Sequence, residues 1–470
     1  MNYYFLGIGG IGMSALARFF NQKGDKVCGY DRTPSALTDQ LISEGIDIHF
    51  EDNPGLIPTD VDLAVYTPAV PTTTAEFEYL QKKGIPMKKR SEMLGELTRG
   101  KKCIAVAGTH GKTTTSALIA HLLSKAPMGC SAFLGGIAKN FNSNLVVNNQ
   151  SEYVVVEADE YDRSFLQLHP HMSVITATDP DHLDIYGTHE ALLDAFRQFA
   201  SQTDADGHLF VKEGLLGTGH CHHEKEHEEE HHEHHYHEEE HHSPAPCETS
   251  TYTARGIEAD YYAINVRNYG GNIFFDLRTP GKVLYDLQLT NAPLYNVENA
   301  VAAAAVALKC GLDEFQLRYG LKSFEGIRRR FDYRIHTKDL VYIDDYAHHP
   351  QEIKATIESV KYHYPNSRIV GIFQPHLYSR TKDFADQFAE ALMPLDEIIL
   401  MPIYPAREKP ILGVTSHLIL RKIDKMSKYL CTPEQVLELI PALYPDVLIT
   451  MGAGDIDRLV PQLEKLLTEE

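Results

Sequence analysis

A chain of 470 residues, 43% of them hydrophobic, is too long for one core, so two or three domains are expected. Its formal net charge of −21 excludes a general nucleic-acid or membrane-surface binder. Seven cysteines, odd in number and outside any CxxC spacing, exclude a disulfide framework and fit free thiols in a reducing compartment.

The chain opens Met1-Asn2-Tyr3-Tyr4 without a basic leader. No apolar run approaches the roughly 18 residues of a membrane helix, so a soluble, cytoplasmic protein is expected. The strand Tyr3–Leu6 runs into Gly7-Ile8-Gly9-Gly10-Ile11-Gly12 and a helical pattern through Phe20; a second strand, Lys26–Tyr30, ends at Asp31. Strand, GxGxxG, helix, strand and acid make the fingerprint of a dinucleotide-binding βαβ unit. Alone it would favour an NAD-dependent oxidoreductase. Apolar stretches at Leu63–Tyr66 and around Ile85 complete a small α/β domain, residues 1–99. The run Lys88-Lys89-Arg90 reads as a solvated face.

A second domain, 100–325, opens on the apolar strand Cys103–Ala107, the loop Gly108-Thr109-His110-Gly111, and Lys112-Thr113-Thr114 at a helix start. Glycines let backbone N–H groups curl around phosphate oxygens, and a helix N-terminus adds partial positive charge. Lys112 would reach the terminal phosphates of ATP, and the Thr113 hydroxyl would hold Mg²⁺. Val106 stands where the strict P-loop pattern has its first glycine. Strand Tyr153–Val156 ends in Glu157-Ala158-Asp159-Glu160, and strand Ser173–Ala177 precedes Asp179-Pro180-Asp181-His182-Leu183-Asp184. Glu157 is a hard oxygen ligand suited to Mg²⁺, and His182 sits in an acidic loop able to hold metal-bound water. The expected metal site is therefore Thr113, Glu157 and His182. Asn296–Cys310 reads as an Ala-rich helix stopped by Gly311.

Within that domain, 219–247 is a His/Glu-rich insertion that cannot build an apolar core. Neutral imidazoles there bind Zn²⁺ or Ni²⁺ adventitiously, and a metal-storage protein is the non-enzymatic alternative. Deleting the tract separates the two, because an enzyme would keep its activity.

The third unit, 326–470, repeats the pattern of polar residues after apolar strands. Leu340–Ile343 leads to Asp344-Asp345-Tyr346-Ala347-His348-His349-Pro350, Ile369–Phe373 to Gln374-Pro375-His376, and Val447–Thr450 to Gly452-Ala453-Gly454-Asp455. Ligands bind at such carboxyl edges of open parallel sheets. Arg330 is placed to neutralise phosphoryl charge and Asp345 to accept ribose hydroxyl bonds; His348, His376 and Arg380 join them.

These ordered motifs, with Asn296, Asn299 and Arg329-Arg330-Phe331-Asp332, resemble those of the Mur ligase family over nearly the whole chain. The resemblance implies three domains: an N-terminal Rossmann-like domain for a UDP substrate, a central P-loop-type ATPase domain with a mostly parallel sheet, and a C-terminal Rossmann-like domain. It implies that ATP, Mg²⁺, UDP-N-acetylmuramate and L-alanine meet on the enzyme, the muramoyl carboxylate becoming an acyl phosphate that the amine attacks. The Gly7–Gly12 pattern favours the alanine-adding branch, as does the lack of any lysine between Asp184 and Val211, where sister ligases carry a carbamylated one. Relatives that add another amino acid or a recycled peptide are the alternative.

By position, the resemblance assigns Gly108–Thr114 to the ATP phosphates, Asn296 and Asn299 to the nucleotide end, and Asp345 to a nucleotide contact. Arg330 would steady the phosphates; Lys112, Glu157, His182, Arg330 and His348 make the catalytic set. His348, His376 and Arg380 match the region that places the incoming amino acid, and Gly9, Gly10, Ile11, Gly12, Asp31 and Thr67 would line the uridine side. Leu377 replaces an arginine common in the family, and Thr67-Pro68 a serine pair. Domain closure is expected, because Arg330 and Asp345 lie beyond the ATPase domain. A monomer or homodimer in the cytoplasm is implied, without nucleic acid or membrane insertion.

Overall fold

The computed structural model describes residues 1–217, 245–255, 259–406 and 408–469; for Leu183 and Asp184 it describes the backbone alone. The tract Gly219–His242 lies outside the described residues. Two compact units are formed. The first comprises Met1–Asn265, Phe275–Leu287 and Glu298–Phe324, and the second Val266–Phe274, Gln288–Val297 and Glu325–Glu470.

The first unit begins with β1 (Asn2–Leu6), β2 (Lys26–Tyr30), β3 (Asp47–His49), β4 (Leu63–Tyr66) and β5 (Met87–Lys89). They form an all-parallel sheet in the order β3-β2-β1-β4-β5. The order reverses between β1 and β4, which places the crevice for a ligand beside the loop after β1. Helix Ile11–Gln22 packs on this sheet with its apolar face, Met13, Leu16 and Phe20 being buried.

The next strands are β6 (Lys102–Ala107), β7 (Ser131–Ala138), β8 (Ser143–Val146), β9 (Tyr153–Glu157), β10 (Met172–Ile175), β11 (His208–Lys212), β12 (Glu248–Thr253), β13 (Tyr261–Tyr269), β14 (Asn272–Arg278) and β15 (Val283–Leu289). Their order is β15-β14-β13-β12-β11-β10-β6-β9-β7-β8. β6 runs parallel to both neighbours, and Cys103–Ala107 is buried throughout. That is why it reads as a continuous apolar run rather than an alternating one. The first helix docks on the antiparallel β7–β8 edge, where Phe19 meets Phe133 with ring centroids 5.4 Å apart. Arg18, 2% exposed, pairs with Glu44 at 2.8 Å and donates to Asn144 Oδ1 at 2.6 Å; the Asn144 amide donates back to the Ile11 carbonyl at 2.6 Å. Burying that guanidinium is tolerable only because it is paired.

The second unit carries β16 (Asp332–His336), β17 (Val341–Asp345), β18 (Ile369–Phe373), β19 (Glu397–Leu400), β20 (Lys428–Leu430) and β21 (Val447–Met451), in the order β16-β17-β21-β18-β19-β20. Only β16 is antiparallel to its neighbour. Helix Pro350–His363 uses Pro350 at its first turn and a capping box from His349 and Glu352.

Several boundaries move relative to the sequence expectation. The helix after the glycine loop runs Lys112–Ser124, the fifth strand starts at Met87 rather than around Ile85, and β17 runs on through Asp345. Lys88, Lys89 and Arg90 are not a merely solvated face. Each meets a carboxylate, of Glu96 at 2.6 Å, Asp162 at 3.0 Å and Asp159 at 3.0 Å respectively.

Candidate active site

The loop after β1 is a tight turn. Gly7 adopts φ +83°, and the Gly7 and Ile8 N–H groups both donate to the Tyr30 carbonyl, at 2.8 and 3.1 Å. Gly9 N–H donates to Asp31 Oδ2 at 2.8 Å, and Thr33 N–H to Asp31 Oδ1 at 3.1 Å. Asp31 therefore braces the loop with both oxygens. Thr67, after β4, lies against it, for a Cβ on Gly7 would come within 2.8 Å of Thr67 Cγ2. Gly10 opens helix Ile11–Gln22 without a side-chain cap, so the cap residue satisfies none of the first-turn N–H groups.

The loop after β6 is held from β10. Thr176 Oγ1 donates to the Ala107 carbonyl at 3.1 Å and to that of His110, while Thr109 N–H donates to the Ala177 carbonyl at 3.0 Å. Gly108, at φ +137°, sits so close that a Cβ would run into Thr176 Oγ1. Gly111 caps helix Lys112–Ser124 at φ +83° with no side-chain cap, and a Cβ there would meet Asn299 Oδ1 at 2.7 Å. Thr115 donates to the same Asn299 oxygen at 3.2 Å. Asn299 thus backs the loop, and Asn296 opens the helix Asn296–Lys309. First-turn N–H groups without a side-chain cap, beside a glycine turn, suit phosphate oxygens. Thr113 and Thr114 are buried in that first turn.

Lys112 Nζ donates to the Gly108 carbonyl at 2.6 Å and to Glu160 at 2.8 Å. Burial opposes its charge, but Glu160, Glu157 and Asp159 outweigh burial and raise it above the ordinary lysine value. Burial likewise pushes the Glu160 carboxyl up, with Lys112 pulling it back only in part. Glu157 ends β9 and accepts the Gly135 N–H at 3.1 Å. His182, at φ +51°, places Nε2 3.8 Å from Glu160 and 3.7 Å from Asp181, with its ring edge-on to Tyr161. His110 Nε2 is 4.0 Å from Asp179.

The Thr113 hydroxyl and the Glu157 carboxylate are oxygen donors of the kind Mg²⁺ takes, and His182 follows the third of three adjacent strands. Among the described residues, the group of three ligating side chains mutually within 4.8 Å lies elsewhere, at His171, Asp204 and Asp206. His171 precedes β10, at the opposite end of the strands from the glycine loop.

In the second unit the strand ends converge similarly. Asp345 is buried; it accepts Ala347 N–H at 3.0 Å and Thr356 Oγ1 at 2.9 Å, and burial pushes its carboxyl up to about 6. Asp344, also pushed up by burial to about 6, accepts Thr450 Oγ1 at 2.8 Å and lies 3.6 Å from Arg329. The Arg330 guanidinium lies 5.5 Å from the Tyr346 ring centre. His348 Nδ1 bonds the Tyr346 carbonyl at 3.0 Å, and its ring meets His376 at 6.0 Å. His376 stacks on Tyr404. Burial, His348 and Arg380 together push His376 down to about 4. Leu377 takes φ +71°, its N–H tied to the Tyr404 carbonyl at 2.9 Å.

The first unit thus joins Gly108–Thr114, Glu157 and His182 around one loop, and Gly9–Gly12, Asp31 and Thr67 around another. The second joins Arg330, Asp345, His348, His376 and Arg380. Sequence reasoning missed Glu160, Thr176 and Arg90. Glu160 had a signal, as the last of three acids after an apolar strand; Thr176 had none beyond its position at a strand end.

Two glycine turns at the carboxyl edges of parallel sheets, one carrying a lysine held by a buried carboxylate, define a nucleotide-handling α/β protein. The chain belongs to the Mur ligase family: residues 2–102 match the family's catalytic domain, 106–307 its middle domain and 329–454 its glutamate ligase domain. Its relatives include the UDP-N-acetylmuramate–L-alanine ligase of Phocaeicola vulgatus, 47% identical, with 99% of this chain and 98% of the relative covered. That of Flavobacterium johnsoniae is 44% identical, with 100% and 98% covered. Among solved structures, the UDP-N-acetylmuramate–alanine ligase of Thermotoga maritima superposes with a TM-score of 0.82 at 28% identity, covering all of both chains. A murein peptide ligase from Psychrobacter arcticus shares the fold, with a TM-score of 0.70 at 20% identity and 100% and 99% coverage.

Proposed function

We propose that this chain joins L-alanine to the carboxylate of UDP-N-acetylmuramate at the expense of ATP, in the synthesis of peptidoglycan precursors. The observation that carries this is the loop Gly108–Lys112, whose cation is already aimed across a glycine turn beside Glu157 and Glu160. Carboxylate is a poor electrophile, and its activation brings two anions together. Lys112 and the first-turn N–H groups offset that charge as the γ-phosphoryl is transferred to the muramoyl oxygen. Mg²⁺, held by Thr113, Glu157 and His182, would supply further positive charge at the phosphates. In the second unit, Arg330 and Asp345 serve the nucleotide, while His348, His376 and Arg380 orient the incoming amino acid. Neutral imidazoles there suit that orienting task, because each can accept a hydrogen bond from the incoming ammonium without adding positive charge.

The loop Gly9–Gly12, with Asp31 and Thr67, binds the UDP end of the substrate. We place domain boundaries at 99/100 and 325/326, the enzyme in the cytoplasm, and its state as monomer or homodimer. No helix among the described residues is long and apolar enough to cross a membrane.

Phosphate release from ATP and UDP-N-acetylmuramate tests the proposal, with L-alanine, glycine, L-serine and a tripeptide offered in turn. L-alanine should give the highest kcat/KM. A preference for the tripeptide would assign the chain to the peptide-recycling branch instead.

A further inference from the structure

Arg90 follows β5 and begins helix Arg90–Thr98. Its side chain lies over the glycine loop of the first sheet: a Cβ on Gly12 would sit 3.0 Å from Arg90 Nη1 and 3.1 Å from its Cδ. Its other terminal nitrogen, Nη2, donates to Asp159 Oδ2 at 3.0 Å. Asp159 Oδ1 accepts the Tyr161 N–H at 3.2 Å, so the carboxylate is held in one orientation. The next residue, Glu160, is 1% exposed and holds Lys112 at 2.8 Å. Its carbonyl is fixed by the Tyr186 hydroxyl at 2.6 Å.

Consecutive carboxylates of one segment therefore take hold of two different cations. Asp159 holds the arginine over the first glycine loop, and Glu160 holds the lysine of the second. The rest of the segment is clamped to the same helix and to the residue just before it. Lys89 pairs with Asp162 at 3.0 Å, and Gly95 lies so close to the Gln167 carbonyl that any side chain would collide with it. Asp162 and Arg163 both adopt left-handed backbone, φ +53° and +54°. Non-glycine residues accept that conformation only when their surroundings enforce it.

We propose that Arg90 is a positioning residue that couples the glycine loop after β1 to the lysine of the loop after β6, acting through Asp159 and Glu160. The inference rests on the ligase reading above, in which the first loop carries the muramate nucleotide and the second ATP. A substrate anion arriving at Gly9–Gly12 changes the field at the Arg90 guanidinium. The guanidinium's hold on Asp159 sets where Glu160, and so Lys112, stands. The device would favour Lys112 in its phosphoryl-transfer position when both substrates are bound.

The test is steady-state phosphate release by the full-length parent, Arg90→Ala, Arg90→Lys, Asp159→Asn and the Arg90→Ala/Asp159→Asn double variant, with ADP affinity by calorimetry and melting curves alongside. Arg90→Ala should lower kcat about 10- to 100-fold, the scale of a small misplacement of a catalytic group. ADP affinity should stay within about twofold, and Arg90→Lys should recover part of the rate. The double variant should be no worse than the worse single one, because the two residues form one chain. Parent-like turnover of Arg90→Ala, an equal loss of ADP binding, or single-variant losses that multiply would overturn the coupling. Should Arg90→Ala fail to fold, Arg90→Lys and Asp159→Asn decide by the same criteria. An inactive parent would instead overturn the ligase reading.

Discussion

Lys112 Nζ lies 2.8 Å from a Glu160 carboxylate oxygen and 2.6 Å from the Gly108 carbonyl. The cation that would meet the nucleotide's terminal phosphate is thus held between the start of its own loop and the segment after β9. Its side chain is 16% exposed and that of Glu160 1%, so the pair is a buried one. Removing Lys112 would leave the buried Glu160 carboxylate without its cation.

Lys112→Ala should therefore lose turnover by about 10³-fold or more and also destabilise the fold by about 3 kcal/mol. Adding Glu160→Gln should restore much of the stability and none of the turnover. Denaturant midpoints and initial rates for the two variants check this. Equal midpoints for parent and Lys112→Ala would show the pair to be energetically idle.

Gly108→Ala should weaken nucleotide binding more than tenfold, since φ +137° excludes an L side chain and Thr176 Oγ1 blocks the space. Gly45, at φ +88° with nothing within 4 Å of a Cβ, is the control. Gly45→Ala should cost about 1 kcal/mol of stability and leave ADP affinity unchanged. Calorimetric titration with ADP separates the two; similar affinities for both variants would remove Gly108 from the phosphate site.

Asp345 yields a pH-dependent prediction. Burial raises its carboxyl from 3.8 to about 6, so between those pH values the folded chain binds more protons than the unfolded one. Stability then falls as pH rises from about 4 to 6, by up to about 3 kcal/mol from this group, and the loss persists above that. Asp345→Asn cannot titrate, so its stability relative to the parent should improve steadily from pH 4 to pH 6.5. Unfolding curves of parent and variant that stay parallel over this range would contradict the assignment.

His376 should behave oppositely. Burial with the neighbouring His348 and Arg380 depresses it to about 4, so its imidazole is neutral throughout the assay range. Its C2 proton resonance, assigned by loss in His376→Asn, should titrate with a midpoint near 4. A midpoint of about 6.5, the ordinary imidazole value, would mean the ring is more open to solvent than its stacking on Tyr404 implies.

The elements proposed to bear chemistry were legible because their periodicity and their glycines share one cause. β6 reads as five apolar residues because both its faces are covered, and Gly108 and Gly111 mark positive φ angles the loop demands. The same logic made Gly7–Gly12, Glu157, His182 and Asp345 visible as polar residues after apolar strands. What stayed hidden depends on contacts between distant segments. Nothing in Lys88-Lys89-Arg90 says that its charges meet Glu96, Asp162 and Asp159, and nothing local in Thr176 says that it braces the loop after β6. Asp31 shows a subtler limit: it stands where the fingerprint has its acid, yet its oxygens are engaged by Gly9 and Thr33 N–H groups.

The central claim is that Lys112 and its loop present ATP's γ-phosphate to the muramoyl carboxylate. Positional isotope exchange tests it most directly, using ATP labelled with ¹⁸O at the β–γ bridge and UDP-N-acetylmuramate, without amino acid. The account predicts scrambling of the label into non-bridging β-phosphate positions in the parent enzyme, dependent on the muramate nucleotide and absent in Lys112→Ala. Amide formation by the parent with no scrambling, or scrambling undiminished in Lys112→Ala, would contradict it.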